Sequence, residues 1–197
     1  MFVVSKRRIG IFGGSFDPPH LGHIAIAGFV ASTRKLDEVL FVVANIQWQK
    51  VTEREMLDPL HRLEMTKLAV EGIDNFHASS IEIDRGGDSI TVETLETLYK
   101  NDPEAQYELI IGADIASRLE TWRRFEEIEK YAEIVVVGRP GFDSKEIESD
   151  FNPVILNGPQ LEMSSENIRA AIGLRDSVAH LVPELVDEYI RQEGLYR

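Results

Sequence analysis

Short apolar runs of strand length alternate along this chain with longer amphipathic stretches, and that rhythm constrains the fold more than any other feature. Leu109–Gly112 and Ile134–Val137 are nearly unbroken apolar runs. They lack the in–out alternation of a half-exposed strand and suit parallel strands covered on both faces. Arg8–Gly13, Val39–Ala44, Phe76–Ile83 and Val154–Leu156 read as further strands. Between them, Leu21–Thr33 reads as a helix rich in Ile, Ala, Phe and Val. Pro59–Val70 sets Leu60, Leu63, Met65 and Leu68 near one side, and Val92–Tyr99 carries Leu95 and Leu98 at helical spacing. Ser164–Ile172 and Pro183–Ile190 close the chain as helices. Strand and helix in this alternation predict an α/β fold: a doubly wound parallel sheet with helices on both faces and right-handed crossovers. A single domain over residues 1–197 is expected, with 164–197 as a short C-terminal helical appendage.

Charge narrows the partners. The 197 residues carry 21 Lys and Arg against 34 Asp and Glu, a net charge of −13. Nucleic acid and anionic membranes need a basic face, so neither is an expected partner, whereas a small anion held by a few local donors is compatible. The acidic balance leaves room for a homo-oligomer. With no cysteine, disulfides, thiolate metal sites and cysteine nucleophiles are excluded. The opening Met-Phe-Val-Val-Ser-Lys-Arg-Arg meets charges at once and has no apolar h-region. No apolar run approaches the ~20 residues of a membrane helix, so a cytoplasmic protein is expected.

Ligands of such sheets bind beyond the carboxyl ends of the strands, so the turn after the first strand comes next. Gly13 and Gly14 end that strand and free backbone N–H groups to face a ligand. Asp17-Pro18-Pro19 makes a turn that launches a helix, and His20 and His23 follow three residues apart on its first turn. Amide dipoles, a helix N-terminus and two imidazoles all favour an anion. Neither G-x-G-x-x-G nor a P-loop string occurs. Ser164 and Ser165 open a later helix with Arg169 one turn inside it, a second group of anion donors. Asp114 is expected to close the strand that begins at Leu109, where its carboxylate can accept from ribose hydroxyls, cap the helix through Leu119, or do both.

His20-Leu-Gly-His23 is the H-x-G-H signature of the nucleotidyltransferase superfamily, and Gly-Gly-Ser-Phe-Asp-Pro-Pro-His-Leu-Gly-His resembles the bacterial-type nicotinate mononucleotide adenylyltransferases. The resemblance continues through Arg85–Leu95, Leu109-Ile-Ile-Gly-Ala-Asp114, Leu119–Trp122, Val137-Gly-Arg-Pro-Gly141 and Met163–Arg169. It implies a Rossmann-like fold and adenylyl transfer from ATP to nicotinate mononucleotide, giving deamido-NAD and pyrophosphate. It implies His20, His23 and Arg169 as catalytic residues, with Gly13, Gly14, Ser15, Phe16, Gly112, Asp114, Ser164, Ser165 and Ile168 joining them around ATP. Asp17, Lys50, Ile90, Thr91, Trp122 and Arg139 are implied at the mononucleotide. Mg²⁺ would travel on the phosphates of ATP, with no metal held by the chain itself. The chain departs from the family where Ile90, Glu93 and Glu166 stand for Tyr, Asp and Thr; Glu166 is expected to point outward or to serve as the capping-box partner of an earlier residue.

Overall fold

The computed structural model describes residues 6–47, 56–138, 151–159 and 161–197. Its strands are β1 (Arg8–Gly14), β2 (Glu38–Val43), β3 (Phe76–Ser79), β4 (Gln106–Gly112), β5 (Ala132–Gly138) and β6 (Val154–Asn157). Its α-helices are α1 (Leu21–Arg34), α2 (Pro59–Val70), α3 (Ile81–Arg85), α4 (Thr91–Asn101), α5 (Ala113–Ala116), α6 (Ser165–Gly173) and α7 (Glu184–Glu193), with 3₁₀ turns at Leu119–Thr121 and Phe125–Lys130. The six strands form one parallel α/β sheet in the order β3-β2-β1-β4-β5-β6. Chain order reverses between β1 and β4, which makes that boundary the switch point where such sheets bind ligands.

The chain divides into two compact units. The first comprises residues 1–13, 27–40 and 90–160. In it β1 pairs with β4 in parallel, Ile11 opposite Leu109 and Phe12 opposite Ile110, and β4 pairs with β5 up to Gly112 opposite Val137. Ile9, Ile11, Leu109, Ile110, Ile134, Val135 and Val136 are all buried, which is why those runs carry no alternation. The buried carboxylate of Glu108 in β4 accepts from Arg34 Nε at 2.7 Å and Arg8 Nε at 3.1 Å. Two guanidiniums satisfy a charge that burial would otherwise make costly.

The second unit comprises residues 14–26, 41–89 and 161–197. Its core gathers Met65 and Ala69 of α2, Ile168 and Ile172 of α6, Val178 and Val182 of the α6–α7 connection, Val186 and Ile190 of α7, and Leu195. Asp58 caps α2, its side chain accepting from Leu60 N, with Pro59 in the first turn. The buried face of α2 is Arg62, Leu63, Met65, Thr66, Ala69 and Val70; Leu60, expected on that side, is 64% exposed. The run expected as a strand to Ile83 leaves the sheet at Ser79 and turns into α3. There Ser80 Oγ donates to Asp84 at 2.7 Å, and Gly86, at φ 72°, ends the helix. Among the described residues no helix is long and apolar enough to cross a membrane.

Candidate functional site

The second unit builds the first turn as a sequence of packed rings. Gly14 leaves room for the ring of Phe16: a Cβ there would fall 3.1 Å from it. Phe16 is buried at φ 49°, a left-handed conformation a non-glycine residue holds only when its surroundings require it. Its ring meets Phe41 at 5.7 Å and stands edge-on to His23 at 5.1 Å. His23 Nδ1 accepts the backbone N–H of His20 at 3.1 Å, so in the neutral ring the proton sits on Nε2. The two imidazoles stack with centroids 3.7 Å apart.

His20 therefore lies just ahead of α1 rather than in its first turn, and is buried to 6% exposure. Burial pushes its pKa down from 6.5 to about 4, because a charged imidazole loses its hydration there. At pH 7 His20 is neutral, so it attracts an anion as an N–H donor and not as the fixed cation that two imidazoles in a row suggest. Gly22 protects its place: a Cβ on Gly22 would fall 2.9 Å from His20 Nδ1. The Asp17–Pro18 peptide is cis.

Helix α6 meets this turn within the same unit. Ser164 is its N-cap, the side chain accepting from Asn167 N at 3.1 Å. Ser165 Oγ donates to the Pro18 carbonyl at 2.8 Å, and Arg169 Nη1 donates to the Asp17 carbonyl at 2.6 Å. Ser165 thus spends its hydroxyl proton on the fold, whereas Ser164, whose oxygen only accepts, keeps its O–H as an anion donor beside the backbone N–H groups of α6 and Arg169. Ile168 is buried beneath it, and Glu166 is exposed as expected. Asp17 is 1% exposed, with its carboxylate accepting from Tyr196 O–H at 2.6 Å. That carboxylate is part of the turn's framework and does not face solvent, where a mononucleotide would meet it.

Sequence reasoning missed two residues here. Arg62 is fully buried and donates to the carbonyls of Leu57, Ser15 and Asn45 at 2.9, 2.8 and 3.0 Å. Its signal was available: a charged residue at the helical spacing of Met65, Thr66 and Ala69. Tyr196 had no such signal in its spacing.

The first unit carries the remaining candidates. Gly13 is exposed at the end of β1, and a Cβ there would meet nothing within 4 Å. Gly112 is the N-cap of α5, and Asp114 stands exposed in that helix's first turn, a carboxylate oxygen 2.6 Å from where a Cβ on Gly112 would be. Asp114 is thus neither the last residue of the strand nor the cap. Ile90 is the N-cap of α4 and Thr91 its first residue, with no side chain bonded at the cap. Trp122 is half-buried at the end of the first 3₁₀ turn. Lys50 and Arg139 lie outside the described residues.

Comparison with known proteins assigns the family. The cytidylyltransferase-like family profile matches residues 11–171. A probable nicotinate-nucleotide adenylyltransferase of Bacillus licheniformis is 37% identical over 190 residues, 96% of this chain and 98% of that one. The nicotinate-nucleotide adenylyltransferase of Bacillus subtilis is 35% identical over the same shares of the two chains. The chain belongs to the nicotinate-nucleotide adenylyltransferase family. A solved structure of Plasmodium falciparum nicotinic acid mononucleotide adenylyltransferase, complexed with NaAD, superposes with a TM-score of 0.81. It covers 96% of this chain and 97% of its own at 18% identity, a likeness of fold.

Proposed function

We propose that this protein transfers the adenylyl group of ATP to nicotinate mononucleotide, releasing deamido-NAD and pyrophosphate, a step of NAD biosynthesis. The observation that carries the reading is the first turn of the second unit, where the stacked His20 and His23 adjoin the N-terminus of α6 and Arg169. Full-length relatives bearing that activity in their names support it.

The acceptor's 5′-phosphate is ionised at pH 7 and needs no base to activate it. One of its oxygens attacks the α-phosphorus of ATP in line, the bond from that phosphorus to the bridging oxygen breaks, and pyrophosphate leaves with the electron pair. The chain must bring two polyanions together and stabilise the charge that builds on the bridging oxygen. His20, neutral at pH 7, and His23 do this as N–H donors whose hydrogen bonds shorten as charge develops. Ser15, Phe16 and the Gly13–Gly14 backbone frame the α-phosphate, while the first N–H groups of α6 and Arg169 take the outer phosphates. Gly112 and Asp114 are assigned to the nucleoside of ATP, and Ile90, Thr91 and Trp122 to the mononucleotide.

Imidazole, N–H and guanidinium groups are donors for anions and not the oxygen ligands a hard cation prefers. A hard cation such as Mg²⁺ fits as a passenger on phosphate oxygens, where it neutralises charge.

The test is pyrophosphate release with ATP and Mg²⁺, comparing nicotinate mononucleotide, its amide and phosphopantetheine at equal concentration. Preference for the acid form is expected. Preference for either other acceptor reassigns the substrate, and no turnover from protein that binds ATP refutes the enzyme reading.

A further inference from the structure

We propose that Tyr196 is a positioning residue for Arg169, acting through Asp17. The proposal rests on the reading that Arg169 meets the phosphates of ATP. Helix α7 ends at Gly194, φ 64°, and Leu195 turns into the core, its N–H on the Ile190 carbonyl at 3.0 Å. Tyr196 follows at φ 63°. A tyrosine in the left-handed region is held there by its contacts and not by its own preference. The contact that stands out is its phenol, which donates to Asp17 Oδ1 at 2.6 Å.

Asp17 is gripped at two points. Its carboxylate takes the Tyr196 phenol, while its main-chain carbonyl takes Arg169 Nη1 at 2.6 Å. A guanidinium is a rigid fork of five donors. Once one tine is fixed on a carbonyl, the direction of the others follows from where that carbonyl sits. Arg169 is therefore aimed by the position of Asp17, and the phenol sets that position from the opposite end of the residue. Ser165 anchors the next carbonyl, of Pro18, at 2.8 Å, so the turn is held beside the residue whose carboxylate the phenol grips. The carboxylate is 1% exposed, so water cannot replace the phenol without a shift of the turn.

A residue that only stabilises the fold lowers the amount of active enzyme and leaves both KM values alone. A residue that aims Arg169 changes the KM for ATP selectively. Tyr196→Phe is expected to raise the KM for ATP roughly five-fold, about the effect of one misplaced charge-assisted hydrogen bond, with the KM for the mononucleotide and kcat within about twofold. Asp17→Ala, which removes the acceptor but keeps the carbonyl, should give the same pattern. In an Arg169→Ala background Tyr196→Phe should add nothing further, the sign of two residues acting through one contact. Melting curves of each variant verify folding at the assay temperature. An unchanged KM for ATP in both Tyr196→Phe and Asp17→Ala, an equal rise in both KM values, or full additivity with Arg169→Ala overturns the proposal. An unchanged KM for ATP in Arg169→Ala alone overturns the phosphate assignment beneath it, and this proposal with it.

Discussion

Gly22→Ala tests whether the place of the His20 ring matters to the reaction. The added Cβ would lie 2.9 Å from His20 Nδ1 and 3.0 Å from its Cε1, where ordinary contact begins at 3.4 Å. Either the ring or the backbone of α1 must give way by about half an ångström. The ring is buried and already stacked on His23 at 3.7 Å, so it cannot move without loosening that pair. Misplacing a reacting geometry by about 1 Å costs on the order of 10²-fold, so kcat should fall about 10- to 100-fold. Stability should fall by at most about 2.5 kcal/mol. Alanine in a helix gains about 0.5–1 kcal/mol over glycine, and the crowding costs about 1–3 kcal/mol. Steady-state pyrophosphate release, beside thermal unfolding followed by circular dichroism, reads both quantities. A variant that keeps its kcat within twofold would refute the reasoning, because the glycine would then protect nothing the reaction uses.

Three further outcomes follow from the same geometry. His20 binds its proton more weakly folded than unfolded, so the unfolded chain takes up the extra proton between pH 6.5 and about 4. Its contribution of about 3 kcal/mol is present above pH 6.5 and lost as pH falls to 4; urea titrations should show wild type losing that much more than His20→Gln across the window, and parallel curves would refute it. Arg62→Met strands three half-buried carbonyls and should cost about 3 kcal/mol, read as a lower urea midpoint; a loss under about 1 kcal/mol would show that relief of the buried charge compensates. Trp122→Ala should raise the KM for the mononucleotide about tenfold with little change for ATP, as expected for loss of a stacking partner; a selective change for ATP would show the ring serves the other substrate.

The parts of this molecule legible in its sequence are those fixed by local chemistry or by burial on both faces. β4 and β5 are readable as apolar runs, and α2 can be bounded from Asp58 and Pro59 to Val70 because cap and proline sit at its start. The start of α4 at Thr91 could be read to within a residue. Phe76–Ile83 misleads, because its alternation continues past the point where a Ser80–Asp84 hydrogen bond and Gly86 turn the chain into α3. In the site, H-x-G-H names the two histidines, but the neutrality of His20 comes from burial that spacing does not reveal. The serines opening α6 read as phosphate donors, yet Ser165 gives its hydroxyl proton to the Pro18 carbonyl, while Ser164 caps Asn167 N as an acceptor. Tyr196 reaches Asp17 across 179 positions of sequence, a contact only the folded chain makes visible.

Tracing label from ATP tests the central claim most directly. With nicotinate mononucleotide and ATP labelled on the α-phosphate, the label is predicted to enter the dinucleotide, with one pyrophosphate released per product and a rate cut by orders of magnitude in folded His20→Ala. Label recovered as free AMP, transfer of the γ-phosphate instead, or an undiminished rate in His20→Ala would contradict the account.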